Sequence, residues 1–399
     1  MTDIAHNPRP RRKILIITAS VGAGHNSVAR ALRDSLAEAA PQAEISTLDL
    51  LDYTPGWFRA YYAGGFVFGM TRVPLLFDIG FFLTNRPQTP KRGWSENIHL
   101  TVERLAMEEL HEHLPNIRPD LIVHTHFLAA PMVTLMVRAG QLRCRQVVVA
   151  TDIELHRLWF SEGIDHWLAP SQYSADTLRR WGVAEENLSV TGMPVGPKWL
   201  APLDRARIYQ DWNLPEGKPI VLLSGGTEFV CGPIVKIARG IVEDDDQATV
   251  VILAGRNKGL LAELGKVAAS QPRIRPLSFT DRLPELAEVA TLMVSKPGGL
   301  TTAECVAKAL PMVLLHSAGH EEGNAHYLAH NGAAVLTVNK DDTVSAVLRL
   351  LRNPARLKEM SDNARRIQLP STQLATEIIC RELEAAAPRP ADSSATGAV

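Results

Sequence analysis

The sequence predicts an α/β protein with two Rossmann-like, doubly wound domains that face a cleft. Short apolar strands alternate with helical stretches along the chain, which is the pattern of parallel β-α units. A chain of 399 residues is too long for one comfortable hydrophobic core. Proline and glycine cluster at 192–202 between periodic segments, which indicates a boundary between two domains.

Six strands are predicted on each side of this boundary. In the first half they are Lys13–Thr18, Glu44–Leu48, Leu121–His124, Gln146–Thr151, His166–Ala169 and Leu188–Thr191. In the second half they are Ile220–Ser224, Thr249–Ala254, Ile274–Ser278, Thr291–Ser295, Met312–His316 and Ala334–Val338. We expect an N-terminal domain over 1–195, a second domain over 203–360, a helix over 361–384 that could pack back on the first domain, and a disordered tail over 385–399.

The composition excludes several classes of protein. A net charge of −1 gives no reason to expect nucleic acid as a partner. The sequence has no signal segment and no run of about 18 apolar residues that would span a membrane. The cysteines are dispersed and favour a reduced, cytoplasmic protein: Cys144, Cys231, Cys305, Cys380. Neither these cysteines nor the pair His124 and His126 predict a metal site.

The stretch Ser295–Leu328 is the most informative part of the chain. It predicts a strand end, a glycine turn, a helix, a second strand, a polar loop and a second helix. Gly298 and Gly299 would let the backbone adopt positive φ and approach a ligand closely. An isolated Pro-Gly-Gly is more often an ordinary turn, but here the surrounding polar groups favour a binding site.

Two sets of polar side chains follow consecutive strands in this stretch. Thr301 stands at the predicted helix start and Glu304 in its first turn, where a diphosphate would meet unpaired N–H groups and a ribose diol would meet a carboxylate. His320, Glu321 and Asn324 occupy the second loop. Both loops belong to the same carboxyl edge of a parallel sheet, so we expect a nucleotide-linked ligand there.

This stretch resembles the donor-binding half of the family that contains monogalactosyldiacylglycerol synthases and processive diacylglycerol glucosyltransferases. More distant relatives include the N-acetylglucosaminyltransferase of lipid II synthesis. The family pattern is Lys-Pro-Gly-Gly, Thr-x-x-Glu and Gly-Gln-Glu-x-x-Asn, and this chain has histidine at position 320 where the family has glutamine. The resemblance implies a GT-B architecture over 13–338, and the histidine bears on the choice of sugar because it is shorter and can titrate.

The loop after the first strand contains Gly24 and His25 and leads into a strong helix. A dinucleotide site is a weak alternative, because Ser27 replaces the third glycine and only Asp49 could bind a ribose. The resemblance implies instead a Gly-x-Gly-His loop facing the cleft. A helix start disfavours the charged imidazole, so His25 is the candidate general base for an acceptor hydroxyl, unless it merely caps the helix.

A second polar loop in the first half has the family's spacing of Thr151-Asp152, His156 and Trp159. The resemblance implies that Asp152 orients His25 or the acceptor hydroxyl. His156 would contact substrate or Asp152. A purely structural hydrogen-bond network remains the alternative for both residues.

Further donor contacts are expected after three strands of the second half. Gly225 and Gly226 fit a loop pressed against the diphosphate, although the family's glycine pattern is altered just after them. By the resemblance, Arg256 or Asn257 faces the nucleotide and Phe279 contacts the base.

The segment Pro55–Pro87 is unusually aromatic, with arginines interspersed. Such a mixture is typical of a membrane-surface segment, and a core helical hairpin is the alternative. The resemblance favours the first interpretation, which implies peripheral association with anionic lipids on the inner face of the membrane.

The sequence therefore predicts an inverting glycosyltransferase that uses a UDP-sugar as co-substrate, a lipid acceptor such as diacylglycerol, and no cofactor or metal. Two alternatives remain, a UDP-N-acetylglucosamine 2-epimerase and a nucleotide-sugar sensor without turnover. The identity of the sugar, the number of sugars added and the oligomeric state stay open at this stage.

Overall fold

The computed structural model describes residues 11–21, 24–60, 62, 106–224, 233–316 and 321–386. Within them the chain forms two parallel sheets of six strands each, with helices packed on both faces. The predicted fold class is confirmed, and every strand lies within two residues of its predicted bounds. Parallel strands are buried on both faces, so each reads as a continuous apolar run that the sequence makes visible.

The first sheet has the strand order β2-β1-β3-β4-β5-β6. Its strands are β1 (Lys13–Thr18), β2 (Glu44–Asp49), β3 (Leu121–His124), β4 (Arg145–Val149), β5 (His166–Ala169) and β6 (Leu188–Val190). Its helices are α1 (Gly24–Ala39), α2 (Gly56–Arg59), α3 (Glu108–Ile117), α4 (Ala130–Arg138) and α5 (Gln172–Arg180). Helix α1 buries Val28, Leu32 and Leu36, which recur every four residues along one face, against the sheet.

The second sheet has the order β12-β11-β10-β7-β8-β9. Its strands are β7 (Ile220–Ser224), β8 (Thr249–Gly255), β9 (Ile274–Ser278), β10 (Leu292–Ser295), β11 (Met312–Leu315) and β12 (Ala334–Thr337). The chain enters it through α6 (Pro197–Leu200) and α7 (Arg205–Asp211). The remaining helices are α8 (Ile234–Asp244), α9 (Lys258–Ser270), α10 (Leu283–Val289), α11 (Gly299–Ala307), α12 (Glu321–His330) and α13 (Lys340–Leu351).

The C-terminal region forms two helices where one was expected. They are α14 (Pro354–Ile367) and α15 (Ser371–Ala385), separated around Pro370, which stands at the N-cap of α15. Helix α15 leaves the second domain and packs on α1, where Thr376 donates a hydrogen bond to Ser35 at 2.8 Å. The guanidinium of Arg145 on β4 lies 2.8 Å from the carboxylate of Glu382 and fixes the far end of α15. The predicted tail lies outside the described residues from 387 onward.

Each sheet has one point where the strand order reverses, and these points position the site. In the first sheet the reversal falls between β1 and β3, and in the second between β7 and β10. The loops after the two strands diverge at such a point and leave a crevice at the carboxyl edge, where α/β folds bind ligands. The His25 loop follows β1, and the Pro-Gly-Gly turn follows β10.

Candidate active site

His25 lies at the start of α1, and two groups from neighbouring strand ends hold its ring. Its Nδ1 atom is 2.9 Å from the carbonyl oxygen of Thr125, after β3, and 3.1 Å from the hydroxyl of Thr151, after β4. A carbonyl oxygen can only accept a hydrogen bond, so Nδ1 carries the proton. In the neutral ring the lone pair is therefore on Nε2, which is the form that a general base requires.

Aromatic side chains surround this imidazole. The ring of His126 lies edge-on to His25 with centroids 4.6 Å apart, and Trp159 lies 6.3 Å away. Burial, followed by the nearby charge of a protonated His25, holds the pKa of His126 well below its usual value. The site therefore has a neutral, apolar wall on this side.

Two of the predicted acceptor-side residues follow β4 and have different surroundings. The Nδ1 atom of His156 accepts a hydrogen bond from the backbone N–H of Leu158 at 3.2 Å and caps a short 3₁₀ turn. This contact agrees with a structural role for one nitrogen of the ring. Asp152 is half-buried at the same strand end, and because Nδ1 of His25 meets Thr125 and Thr151, the orienting role of Asp152 stays a prediction.

The Pro-Gly-Gly turn differs from expectation in its backbone. Neither Gly298 nor Gly299 adopts a positive φ, and Gly298 is the N-cap of α11 with φ −63°. Glycine is needed here for space, because a Cβ on Gly299 would lie 2.5 Å from the carbonyl oxygen of Thr151 in the first domain. The turn thus brings the two domains into contact.

The N-termini of α1 and α11 lie close together where the two domains meet. A Cβ on Gly24 would lie 3.9 Å from Cβ of Leu300, which is ordinary van der Waals distance. Both helices direct unpaired N–H groups and partial positive charge toward this region. Thr301 is half-buried in the first turn of α11. The arrangement can offset the charge of an anionic group.

Glu304 lies in the second turn of α11, and not in the first as expected, because the helix begins at Gly299. Burial raises the pKa of its carboxyl group to about 8, although a side-chain hydrogen bond with Trp199 opposes the shift. Trp199 belongs to α6 in the interdomain linker. The carboxyl group is therefore mostly protonated at pH 7.

The first turn of α12, and not the preceding loop as expected, supplies two buried side chains. Glu321, only 4% exposed, pairs with Nζ of Lys296 at 2.6 Å. Asn324 is fully buried, donates to the carbonyl oxygen of Pro297 at 3.0 Å and accepts from the backbone N–H of Ile153 at 3.0 Å. Both side chains hold the Pro-Gly-Gly turn in place, because Glu321 contacts Lys296 just before it and Asn324 contacts Pro297. Three other predicted donor residues lie outside the described residues: Gly225, Gly226 and His320.

Two further predicted donor residues lie at the ends of β8 and β9. The side-chain oxygen of Asn257 accepts from the N–H of Leu260 at 2.9 Å and caps α9, so this oxygen has a structural partner. Phe279 is 57% exposed, and the guanidinium of Arg256 lies 4.7 Å from its ring centroid. The exposed ring with a cation on one face offers a surface on which a planar base can stack.

The start of the aromatic segment adjoins the His25 site. Phe58 is buried and stacks on Tyr62 with centroids 5.4 Å apart, and Tyr62 reaches His126 at 6.1 Å. Trp57 is 62% exposed on α2. The rest of the segment, 63–87, lies outside the described residues. In the parts of the chain that are described, no helix has both the length and the hydrophobicity for crossing a bilayer.

The sequence did not reveal every group that forms the site. The carbonyl oxygen of Thr125 and the N–H of Ile153 belong to the backbone, which any residue supplies. The hydroxyl of Thr151 was visible as part of a family motif without an assigned role. The pairing of Lys296 with Glu321 could have been suspected, because the two residues follow adjacent parallel strands on the same edge of the sheet.

The structure has two Rossmann-like domains in contact, with an imidazole in the first and a glycine turn at a helix start in the second. This is the arrangement expected of a glycosyltransferase of the GT-B class. Residues 25–195 match the family model for monogalactosyldiacylglycerol (MGDG) synthase, and residues 223–378 match the glycosyltransferase family 28 C-terminal domain. The two matches together cover most of the chain, and both agree with the resemblance that its motifs predicted.

Similar proteins agree with this assignment. The processive diacylglycerol beta-glucosyltransferase of Bacillus pumilus is 26% identical, over 90% of this chain and 91% of that protein. Among solved structures, MurG of Acinetobacter baumannii superposes with a TM-score of 0.60 at 15% identity, over 93% of this chain and all of that chain. Anabaena Alr3699/HepE, solved with UDP-glucose, gives a TM-score of 0.55 at 17% identity, covering 94% and 99%. A UDP-N-acetylglucosamine 2-epimerase superposes with a TM-score of 0.56 at 14% identity, over 97% of this chain and 99% of that chain. The fold is therefore shared with proteins other than transferases.

Proposed function

We propose that this glycosyltransferase transfers a hexose from a UDP-sugar to the hydroxyl group of diacylglycerol, with inversion at the anomeric carbon. The acceptor oxygen forms a bond to the anomeric carbon from the face opposite the diphosphate. The bond from that carbon to the diphosphate breaks, and UDP leaves with the electron pair. The hydroxyl proton passes to His25, and the product is a β-glycolipid.

The hydrogen bond from Nδ1 of His25 to the carbonyl oxygen of Thr125 is the observation that carries this proposal. It selects the tautomer whose Nε2 can accept a proton. The hydroxyl of Thr151 lies beside the same Nδ1 atom and limits rotation of the ring. A positioned base of this kind contributes about 10²- to 10⁴-fold to a proton-transfer reaction.

The features of the second domain favour a nucleoside diphosphate sugar as the donor. The adjacent N-termini of α1 and α11 suit a diphosphate, because their N–H groups and dipoles offset the charge that develops on the leaving group. Glu304 can accept two hydroxyl hydrogen bonds from a ribose once its carboxyl group ionises. Phe279, with Arg256 on one face, offers a stacking surface for the uracil. Structures of UDP-bound proteins with this fold lend weight to UDP as the nucleotide.

The acceptor side supports a lipid. Trp57 is exposed on α2 close to the basic Arg59, and Phe58 and Tyr62 connect this helix to the His126 ring beside His25. An exposed aromatic ring beside basic groups is suited to the headgroup region of a bilayer. We place the enzyme at the inner face of the membrane, peripherally bound to anionic lipids, and the names of its relatives favour diacylglycerol.

The test is an incubation of purified protein with labelled UDP-glucose, UDP-galactose or UDP-N-acetylglucosamine, each with and without diacylglycerol in anionic vesicles. We expect label in the organic phase with one donor, and only when the lipid is present. His25→Ala should abolish this transfer while UDP affinity stays within about twofold, and His111→Ala, which removes an imidazole from α3 of the same domain, serves as control.

Three results would contradict the proposal. Transfer retained in His25→Ala would exclude this residue as the base. An isomerised UDP-sugar formed without lipid would assign the epimerase reaction. UDP binding without any product on any acceptor would assign a sensor.

A further inference from the structure

The second domain contacts one short segment of the first domain, Thr151–Glu154, from two sides. This segment follows β4. On one side Gly299 leaves no room for a Cβ beside the carbonyl oxygen of Thr151. On the other side a Cβ on Gly323, in the first turn of α12, would overlap the Cβ of Glu154. Gly299 lets the backbones of the two domains meet directly, and Gly323 makes room for the side chain of Glu154, so the segment lies between α11 and α12.

Asn324 connects the donor turn to this segment. Its side-chain oxygen accepts from the N–H of Ile153 in the first domain, and its side-chain nitrogen donates to the carbonyl oxygen of Pro297, each at 3.0 Å. The side chain is fully buried. An amide that joins two backbone groups in a buried place fixes their separation, because losing either bond leaves a buried polar group unsatisfied.

The segment in turn holds the imidazole of His25. The hydroxyl of Thr151 lies 3.1 Å from Nδ1 of that ring. On the other side of the segment, the carbonyl oxygen of Ile153 accepts from the hydroxyl of Ser174 on α5 at 2.7 Å. A continuous set of hydrogen bonds therefore runs from Pro297 in the donor turn, through Asn324 and the segment, to His25.

We propose that Asn324 is a positioning residue. It holds the segment Thr151–Glu154, and through it the ring of His25, in the active geometry only while the second domain contacts this segment. This inference rests on the proposed function in taking His25 as the base. It gives Asn324 a role across the domain interface, in addition to or in place of a direct contact with the donor. Loss of donor-domain contact would release the segment and misplace the base.

Asn324→Asp is the discriminating variant, because it keeps the shape of the side chain. An ionised aspartate accepts from Ile153 but repels the carbonyl oxygen of Pro297, whereas a protonated aspartic acid can restore both bonds. The nearby charged groups are Glu154 on the segment and the pair of Lys296 and Glu321. Burial favours the protonated form, so lowering the pH should repair the variant.

We expect kcat of Asn324→Asp to be about 100-fold below wild type at pH 8, the scale of a misplaced catalytic group. The ratio of the two kcat values should rise as the pH falls to 6, with the affinity for UDP within about twofold throughout. Asn363→Asp is the matched control, since Asn363 is also buried and donates to the carbonyl oxygen of Gly332 at 3.0 Å, inside the second domain. It should leave kcat per folded molecule and the pH profile unchanged.

Hydrogen exchange of the peptide that contains 151–154 tests the coupling without any acceptor. Asn324→Asp should speed this exchange at pH 8, and Asn363→Asp should not. Unchanged exchange, or weaker UDP binding at unchanged kcat, would overturn the inference. If wild type transfers no sugar to lipid, the proposed function fails, and the exchange result still decides whether Asn324 holds the segment.

Discussion

The hydroxyl of Thr151 lies 3.1 Å from Nδ1 of His25, although the two residues belong to different β-α units. The contact crosses the first sheet near the point where its strand order reverses, so it forms only when β1, β3 and β4 are aligned. Nδ1 also donates to Thr125, and these two partners together fix both the tautomer and the ring plane.

Thr151→Val should lower kcat with little effect on UDP binding. Valine keeps the shape but removes the hydroxyl, and the lost hydrogen bond is worth about 1 kcal/mol, or roughly fivefold in rate. Steady-state kinetics with saturating lipid would measure the change. Thr151→Ser, which keeps the hydroxyl, should retain more activity than valine, and the opposite order would contradict the orienting role.

UDP binding should release protons at pH 7. In the free protein burial holds the pKa of Glu304 at about 8, so its carboxyl group is mostly protonated. Hydrogen bonds from a ribose diol favour the ionised form and lower this pKa, so up to one proton leaves on binding. Calorimetry in buffers of different ionisation enthalpy would count the protons. Glu304→Gln should release no proton when UDP binds. If the enthalpy of UDP binding to wild type did not depend on the buffer, the ribose contact would be refuted.

The same carboxyl group should make stability depend on pH. Its folded-state pKa lies above the ordinary value, so its stabilising contribution is complete below about pH 4.5 and is lost as the pH rises through about 8. The melting temperature of wild type should therefore fall relative to that of Glu304→Gln between about pH 5 and pH 8. Parallel melting curves across this interval would exclude a raised pKa.

Lys296→Met should destabilise the second domain by about 3 kcal/mol, the cost of leaving a buried partner charge unpaired. The partner is the Glu321 carboxylate, which lies 2.6 Å from the ammonium group. Urea unfolding would measure the loss. The double variant Lys296→Met, Glu321→Gln should recover part of it, and strictly additive losses would mean that the pair is not coupled.

Trp57→Ala should weaken binding to anionic vesicles. The exposed ring would contribute about 1.5 kcal/mol of apolar transfer at the membrane surface, so binding should fall roughly tenfold. Co-sedimentation with vesicles measures it. Tyr173→Ala, which removes a half-exposed ring on α5 of the same domain, is the control. Equal losses from both variants would argue against α2 as the membrane-facing element.

The strands and the loops after them were accessible to prediction for a simple reason. Parallel strands are apolar throughout and end abruptly at glycine or polar residues, so both the strand and its carboxyl end are visible in the sequence. This is why Gly24, His25 and Asp152 could be assigned to the carboxyl edge of the first sheet, and Gly298 to that of the second, before any coordinates. The break at Pro370 was missed because the apolar pattern on either side resembles one continuous helix.

The contacts between the domains were beyond prediction. The sequence suggests a positive φ and a nearby ligand as the reasons for glycine at 299, whereas the structure shows that the backbone of Thr151 in the other domain occupies the space of a Cβ. Asn324 was assigned to the donor from a motif, and its bond to Ile153 depends on how the two sheets face each other. Neither fact has a local signature, because each relates residues more than 140 positions apart.

The return of α15 to the first domain has a consequence for how the protein is made. This helix contributes Ala375, Ile379 and Leu383 to the core beneath α1, and the guanidinium of Arg12 reaches the carbonyl oxygen of Ala386 at 2.9 Å. During translation the whole second domain is therefore synthesised before α15, which completes the core of the first domain. Until residue 385 has been synthesised, the first domain exposes an apolar groove beside α1. A protein truncated before α15 would keep this groove exposed.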